Sequence, residues 1–289
     1  MPPPTNTAPA IDHLITTICR RDIKVFSHSL SRIKKCINPR LIHVCTPDKD
    51  FELVLKAAHG HDNVTIYKDS DLIPKPESIQ IQLELDHRQL PQMYGWYAQQ
   101  FIKIRLISQL ADNELALIWD GDTIPLRPLQ FQRSGKILHF VGNEYHEPYF
   151  QTLHNSLGIT KQTPHSFISQ CFPLRPLAVK KFIAELGGEQ WILNTLRALS
   201  DTSDCRFSEY ESLGNFILAR QLYDIEFLQV PWERNGAKYY YRHGSLEQAC
   251  ESLKFYNNFA AFEKIQDPPT TRLVKNGLKR LANLFHVSR

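Results

Sequence analysis

Short apolar runs alternate with helically periodic segments through the first 120 residues, and few folds tolerate that order. Ile11 to Ile18 is a β-rich run, Val25 to Ile37 has helical spacing, and Leu41 to Cys45 is a second short strand stopped by Pro47. Phe51 to Ala58 reads as a helix ended by Gly60, and Asn63 to Tyr67 as a third strand. Gly95 to Leu110 reads as a long helix that leads into the apolar run Leu115–Trp119. Parallel strands need a crossover between them, usually a helix, so this alternation predicts an α/β fold with a mostly parallel sheet and helices on both faces. The second half is less regular. Lys136 to Val141, Ser166 to Phe172 and Ile225 to Val230 read as strands. Leu177 to Leu186, Trp191 to Leu199 and Phe207 to Leu222 read as helices.

In open parallel sheets, ligands bind beyond the carboxyl ends of the strands. Thr16-Thr17, Asp69 with Asp71, and Asp120-Gly121-Asp122 all fall at or near such ends. Asp120 and Asp122 stand one residue apart at the tip of a core strand, before the prolines of Thr123-Ile124-Pro125-Leu126-Arg127-Pro128. Like charges this close raise each other's pKa unless something positive neutralises them. A divalent cation such as Mg²⁺ or Mn²⁺ is the simplest neutraliser, and it can bridge onward to phosphate. Two other readings compete. Asp120 can cap a following element, though a cap needs only one carboxylate. A phosphatase of the haloacid dehalogenase type uses D-x-D-x-T/V after an apolar strand, but here Thr123 directly follows the second aspartate, which is one position early.

On the helix before this strand, Trp96, Gln99, Gln100 and Lys103 share one face. That stripe is either an ordinary solvent face or a binding face on which Lys103 reaches a phosphate as a point charge. The segment Asn143–Phe150 is polar and aromatic, which suits either a sugar-stacking loop or a plain surface loop.

A formal charge of +4 over 289 residues is too mild for a general nucleic-acid binder. The six cysteines are scattered without a C-x-x-C pair, as expected of reduced thiols in a cytoplasmic protein. No segment approaches the roughly 20 apolar residues of a membrane span. Residues 1–10 read as a disordered lead-in without signal-peptide features, residues 11–266 as one domain, and residues 267–289 as a basic amphipathic tail. In that tail Val274, Leu278, Leu281 and Phe285 form an apolar stripe opposite Arg272, Lys275 and Lys279. Such a helix either rests peripherally on an anionic membrane or packs on the domain.

Trp119-Asp120-Gly121-Asp122-Thr123 with Pro125-Leu126-Arg127-Pro128 resembles the metal-binding segment of glycosyltransferases with the GT-A fold. Gly95–Lys103 and Phe207–Glu211 resemble a group of bacterial GT-A-like proteins of poorly defined substrate, and the resemblance covers roughly residues 11 to 245. It implies a Rossmann-like αβα sandwich, a nucleotide-sugar donor (UDP-sugar favoured), a glycan or lipid-linked acceptor, and a divalent metal, Mn²⁺ or Mg²⁺. The expected metal ligands are Asp120 and Asp122, with His243 as the late histidine that such enzymes often recruit. The expected donor contacts are Thr17, Arg20, Asp71, Gln99, Lys103 and Asp120. An inverting transferase needs a base for the acceptor proton. Glu209 and His146 are the candidates, although a carboxylate at the start of a helix is also favoured by the dipole alone. The rival functions are a non-catalytic nucleotide- or glycan-binding protein on the same fold and a metal-dependent phosphotransferase.

Overall fold

The computed structural model describes residues 11–263 and 265. The lead-in and tail read from the sequence therefore lie outside the described residues. The chain opens with β1 (Ile11–Thr17), α1 (Ile23–Cys36), β2 (Pro39–Thr46), α2 (Phe51–Ala57) and β3 (Val64–Lys68). It continues through α3 (Pro76–Glu84), α4 (Tyr94–Ser108), β4 (Ala116–Trp119) and β5 (Thr123–Pro125). The middle consists of β6 (Gln132–Arg133), β7 (Lys136–Phe140), α5 (Glu147–Leu157), β8 (Cys171–Leu174), α6 (Pro176–Glu185) and α7 (Trp191–Ala198). The last elements are α8 (Glu209–Ala219), β9 (Ile225–Leu228), β10 (Trp232–Glu233), α9 (Gly236–His243), α10 (Leu246–Leu253) and β11 (Phe259–Ala261).

The central sheet runs β3-β2-β1-β4-β8, with the first four strands parallel and β8 antiparallel at the edge. Alternate residues of its strands feed two separate cores. Leu14, Ile42, Val44, Leu117 and Trp119 pack on the α1–α2 side with Phe26, Leu30 and Val54. Ile15, Cys45, Ala116 and Ile118 pack on the other side with residues of α4, α6, α7 and α8. Side chains of a strand alternate between its faces, so both faces of these strands must be covered. The α/β class, the mostly parallel sheet and the helices on both faces follow directly.

Two small sheets flank the central one. In one, β5 pairs antiparallel with β11, which also pairs with β10. This ties the segment after Asp122 to the end of the described chain. In the other, β7 pairs parallel with β9 and antiparallel with β6.

Several expectations shift. The strand expected over Ser166–Phe172 begins only at Cys171. Before it, Ser166 makes only an isolated antiparallel bridge to Gly142, and Glu211 accepts from the Ser166 hydroxyl at 2.6 Å and the Phe167 amide at 3.1 Å, so the pairing does not continue into a strand there. The segment expected as a loop over Asn143–Phe150 turns helical at Glu147, with Pro148 in the first turn where its missing N–H costs nothing. All six cysteines are free. Among the described residues no helix is long and apolar enough to cross a membrane.

Candidate active site

The carboxyl ends of β1, β2, β3 and β4 open into a cavity of about 700 Å³, closed on the far side by the starts of α4 and α8. Thr17, Thr46, Asp69 and Asp120 line it from the strand ends, and Trp96, Gln99, Gln100 and Lys103 from α4. The polar stripe on α4 is therefore not a solvent face. Gln100 and Lys103 are buried in it.

The Asp120–Asp122 turn is held from three sides. The Asp120 amide donates to the Gln170 carbonyl at 3.0 Å, and the Phe262 amide donates to the Asp122 carbonyl at 2.7 Å. The third side is β1 itself. A Cβ on Gly121 would lie 2.2 Å from Ile18 Cδ1 and 2.6 Å from the Thr17 carbonyl oxygen, so only glycine fits between the two aspartates.

Lys103 sits at the centre of the charge arrangement. Its Nζ donates to Asp120 Oδ1 at 2.7 Å and to Glu209 Oε1 at 2.9 Å. The lysine side chain is 4% exposed and that of Glu209 6%, whereas Asp120 keeps 25%. Burial works against the lysine's charge, but Asp120 and then Glu209 outweigh it and hold its pKa above the ordinary value. Burial raises the Glu209 carboxyl, opposed chiefly by Lys103. The Tyr210 hydroxyl donates to the same Asp120 oxygen at 2.9 Å, and the Gln100 side-chain carbonyl accepts from the Glu209 amide at 2.8 Å.

Among the described residues Asp122 makes no ion pair of this kind. Burial, then Asp120, Asp22 and Glu263, push its carboxyl up to about 7, and Lys103 offsets this only in part. Seven acidic and three basic side chains line the cavity. All three cations are engaged: Lys103 as described, Arg21 with Asp22 at 3.0 Å, and Arg234 with Glu144 and, at 3.5 Å, with Glu263.

The structure brings most of the sequence-derived candidates together and reassigns some. Thr17, Gln99, Lys103, Asp120, Asp122 and Glu209 all line the cavity. Lys103, expected at a phosphate, is instead the buried partner of two carboxylates. Arg20 is not among the residues lining the cavity, whereas the adjacent Arg21 is. Asp71 is exposed, and Asp69, two residues earlier, lines the cavity. His146 is outside the lining, and its Nε2 donates to the Cys205 carbonyl at 2.8 Å. His243 ends α9 and is not brought to the cavity. Gln170, Arg234 and Glu263 line the cavity without having been singled out, and Tyr149, Glu144 and Tyr210 line it from segments marked in the sequence without having been named as site residues. Tyr210 stands beside Glu209, but the others reach the cavity only through the tertiary fold.

The donor set suits a small hard cation bound together with a ligand. Asp120 and Asp122 supply carboxylates, and no group of three His, Cys, Asp or Glu residues is poised for a metal among the described residues. Mg²⁺-type ions commonly take one or two carboxylates and complete their shell with water and substrate phosphate.

No curated protein matches the sequence. Among solved structures, the chain is similar to mouse xyloside xylosyltransferase 1 in its apo form, with a TM-score of 0.48 and 10% identity over 89% of this chain and 99% of that one. It is similar to the galactosyltransferase LgtC in complex with donor and acceptor sugar analogs, with a TM-score of 0.46 and 8% identity over 87% of each chain. It is also similar to the bifunctional glycosyltransferase WbbM, with a TM-score of 0.43 and 10% identity over 92% of this chain and 48% of that one. Residues 13–240, most of the sequence, match a family of unknown function (DUF6492), and the chain belongs to that family.

Proposed function

We propose that this protein is a metal-dependent glycosyltransferase that moves a sugar from a nucleotide-sugar donor, by preference a UDP-sugar, to a glycan or lipid-linked acceptor. The observation that carries the reading is the charge balance of the cavity. Its acidic groups outnumber its basic ones, and every basic group is already paired. A diphosphate entering alone meets repulsion. One that shares a divalent cation with Asp120 and Asp122 would meet attraction, and the carboxyl that burial holds up near 7 on Asp122 would release its proton to solvent as the cation binds.

Transfer breaks the bond between the sugar's anomeric carbon and the diphosphate. When bound, the cation stabilises the negative charge that grows on the leaving phosphate. Asp120 and Asp122 would hold it, with Thr17 and Gln99 beside the donor. Glu209 accepts the proton of the attacking acceptor hydroxyl, and its raised pKa makes it the readier acceptor. Lys103 fixes the carboxylates of Glu209 and Asp120 at one distance from each other. The proposal includes a cytoplasmic location, with peripheral membrane contact through residues 267–289.

The test is turnover of donor without acceptor, where water substitutes for the sugar hydroxyl. A panel of nucleotide sugars with Mn²⁺ should show at least one hydrolysed slowly. Glu209→Gln should keep donor affinity and lose transfer by about 10² to 10⁴. A donor that binds tightly yet is neither hydrolysed nor transferred would favour a non-catalytic binding protein.

A further inference from the structure

The cavity has a second kind of wall. Trp96, in the first turn of α4, and Tyr149, in the first turn of α5, both line it. Their rings are nearly parallel, 12° apart with centroids at 6.2 Å. Each ring is buttressed edge-on from behind. His146 meets Tyr149 at 4.6 Å and 68°, and Tyr97 meets Trp96 at 5.3 Å and 82°.

The buttresses are themselves fixed by hydrogen bonds. His146 Nε2 donates to the Cys205 carbonyl at 2.8 Å, and the Tyr97 hydroxyl donates to the Asp204 carbonyl at 2.7 Å while accepting from the Arg206 amide at 3.0 Å. One loop thus locks both supports. Two aromatic rings held this firmly at a cavity wall present apolar area at little entropic cost on binding.

The position of the wall identifies what it suits. It adjoins Glu209 through Gln100, whose side-chain amide donates to the Trp96 carbonyl at 3.2 Å and whose side-chain carbonyl accepts from the Glu209 amide at 2.8 Å. Glu209 and the mostly acidic lining of the cavity disfavour a phosphate beside this wall and favour a neutral hydroxyl-rich molecule. A pyranose ring combines a C–H face that lies on aromatic surface with hydroxyls that donate to carboxylates.

We propose that Trp96 and Tyr149 form the acceptor-sugar subsite, stacking the apolar face of a neutral pyranoside and presenting its hydroxyl to Glu209. His146 is then a positioning residue for Tyr149 rather than a base. This inference rests on the transferase reading for its name, but the subsite itself is testable without turnover.

The probes are methyl β-glucopyranoside, methyl β-galactopyranoside and methyl β-xylopyranoside, measured by saturation-transfer NMR and by tryptophan fluorescence in the full chain. Trp119 and Trp191 are fully buried, and Trp232 stacks on Phe259 outside the cavity lining, so a glycoside-dependent change is expected to come from Trp96. At least one glycoside should bind the parent, and Trp96→Ala and Tyr149→Leu should each weaken it roughly tenfold. Trp96→Phe should keep most of the affinity, which separates a lost ring from a damaged fold. Affinity for UDP with Mn²⁺ should stay unchanged in all three variants. If these variants lose nucleotide affinity and keep glycoside affinity, the wall holds the base and the proposal is overturned. It is also overturned if no glycoside binds the parent, or if binding is the same in every variant. Glycoside binding as described, without turnover of any donor, would sink the transferase reading and leave the subsite standing.

Discussion

Lys103 shows what a single side chain can hide. On its helix it shares a polar stripe with Trp96, Gln99 and Gln100, and that spacing is equally natural on a solvent face. Only the fold brings Glu209, more than a hundred positions later, within 2.9 Å of it. Removing one partner of a buried pair leaves the other charge stranded. Lys103→Met should therefore destabilise the protein by about 3–5 kcal/mol in urea denaturation. Combining it with Asp120→Asn and Glu209→Gln should cost less than the separate effects summed, because the three groups share one network. Asp122 makes the opposite case, since its difficulty was legible. Two aspartates one residue apart at a strand tip imply a carboxyl under strain, and the fold holds that of Asp122 at about 7 instead of its ordinary 3.8. The folded state therefore binds the proton more tightly than the unfolded chain. The stabilisation is complete at low pH and is lost as the pH rises through this interval. Without metal, the Asp122 contribution should lower the melting temperature between about pH 4 and pH 7, and Asp122→Asn should flatten part of that fall. A variant with the parent's slope would mean that Asp122 is already neutralised within the protein.

At the scale of elements, Gly121 ties a strand end to the site. The β4–β5 turn passes so close to β1 that a Cβ would press on both Ile18 and the Thr17 carbonyl. Gly121→Ala should cost about 1–3 kcal/mol in chemical denaturation, as overpacking does. It should also weaken metal-dependent nucleotide binding by displacing both carboxylates. Ile18→Ala should relieve only part of this, because the Thr17 carbonyl belongs to the backbone and cannot retreat. Most elements of the first half were readable from apolar periodicity, since each strand is buried on both faces and each helix covers one of them. Where the reading failed, a local polar bond had displaced a regular one. Glu211 takes the Ser166 and Phe167 donors and delays β8 to Cys171. The start of α5 carried a signal that aromatic composition obscured, namely Glu147-Pro148 in its first turn. Choices between neighbours, Arg21 over Arg20 and Asp69 over Asp71, depended on turn geometry that a sequence does not display.

For the whole molecule, the decisive property is where charge of each sign collects. The chain is mildly basic at +4, yet its cavity is lined by seven acidic and three basic side chains. Composition could not reveal that inversion, because it arises when Asp22, Glu144, Arg234 and Glu263 converge from distant segments on the strand ends. The strand-end location and the aspartate pair were legible in advance, whereas the pairing of every cation inside the cavity was not. That pairing leaves an anionic ligand dependent on an added cation, which is the central claim. Calorimetric titration of UDP into the metal-free protein, with and without Mn²⁺, tests it most directly, with Asp122→Ala measured alongside. The expected result is binding of UDP by the parent only when Mn²⁺ is present, and loss of that binding in a folded Asp122→Ala variant. Equal UDP affinity with and without the metal, or unchanged Mn²⁺-dependent affinity in the variant, would contradict the account.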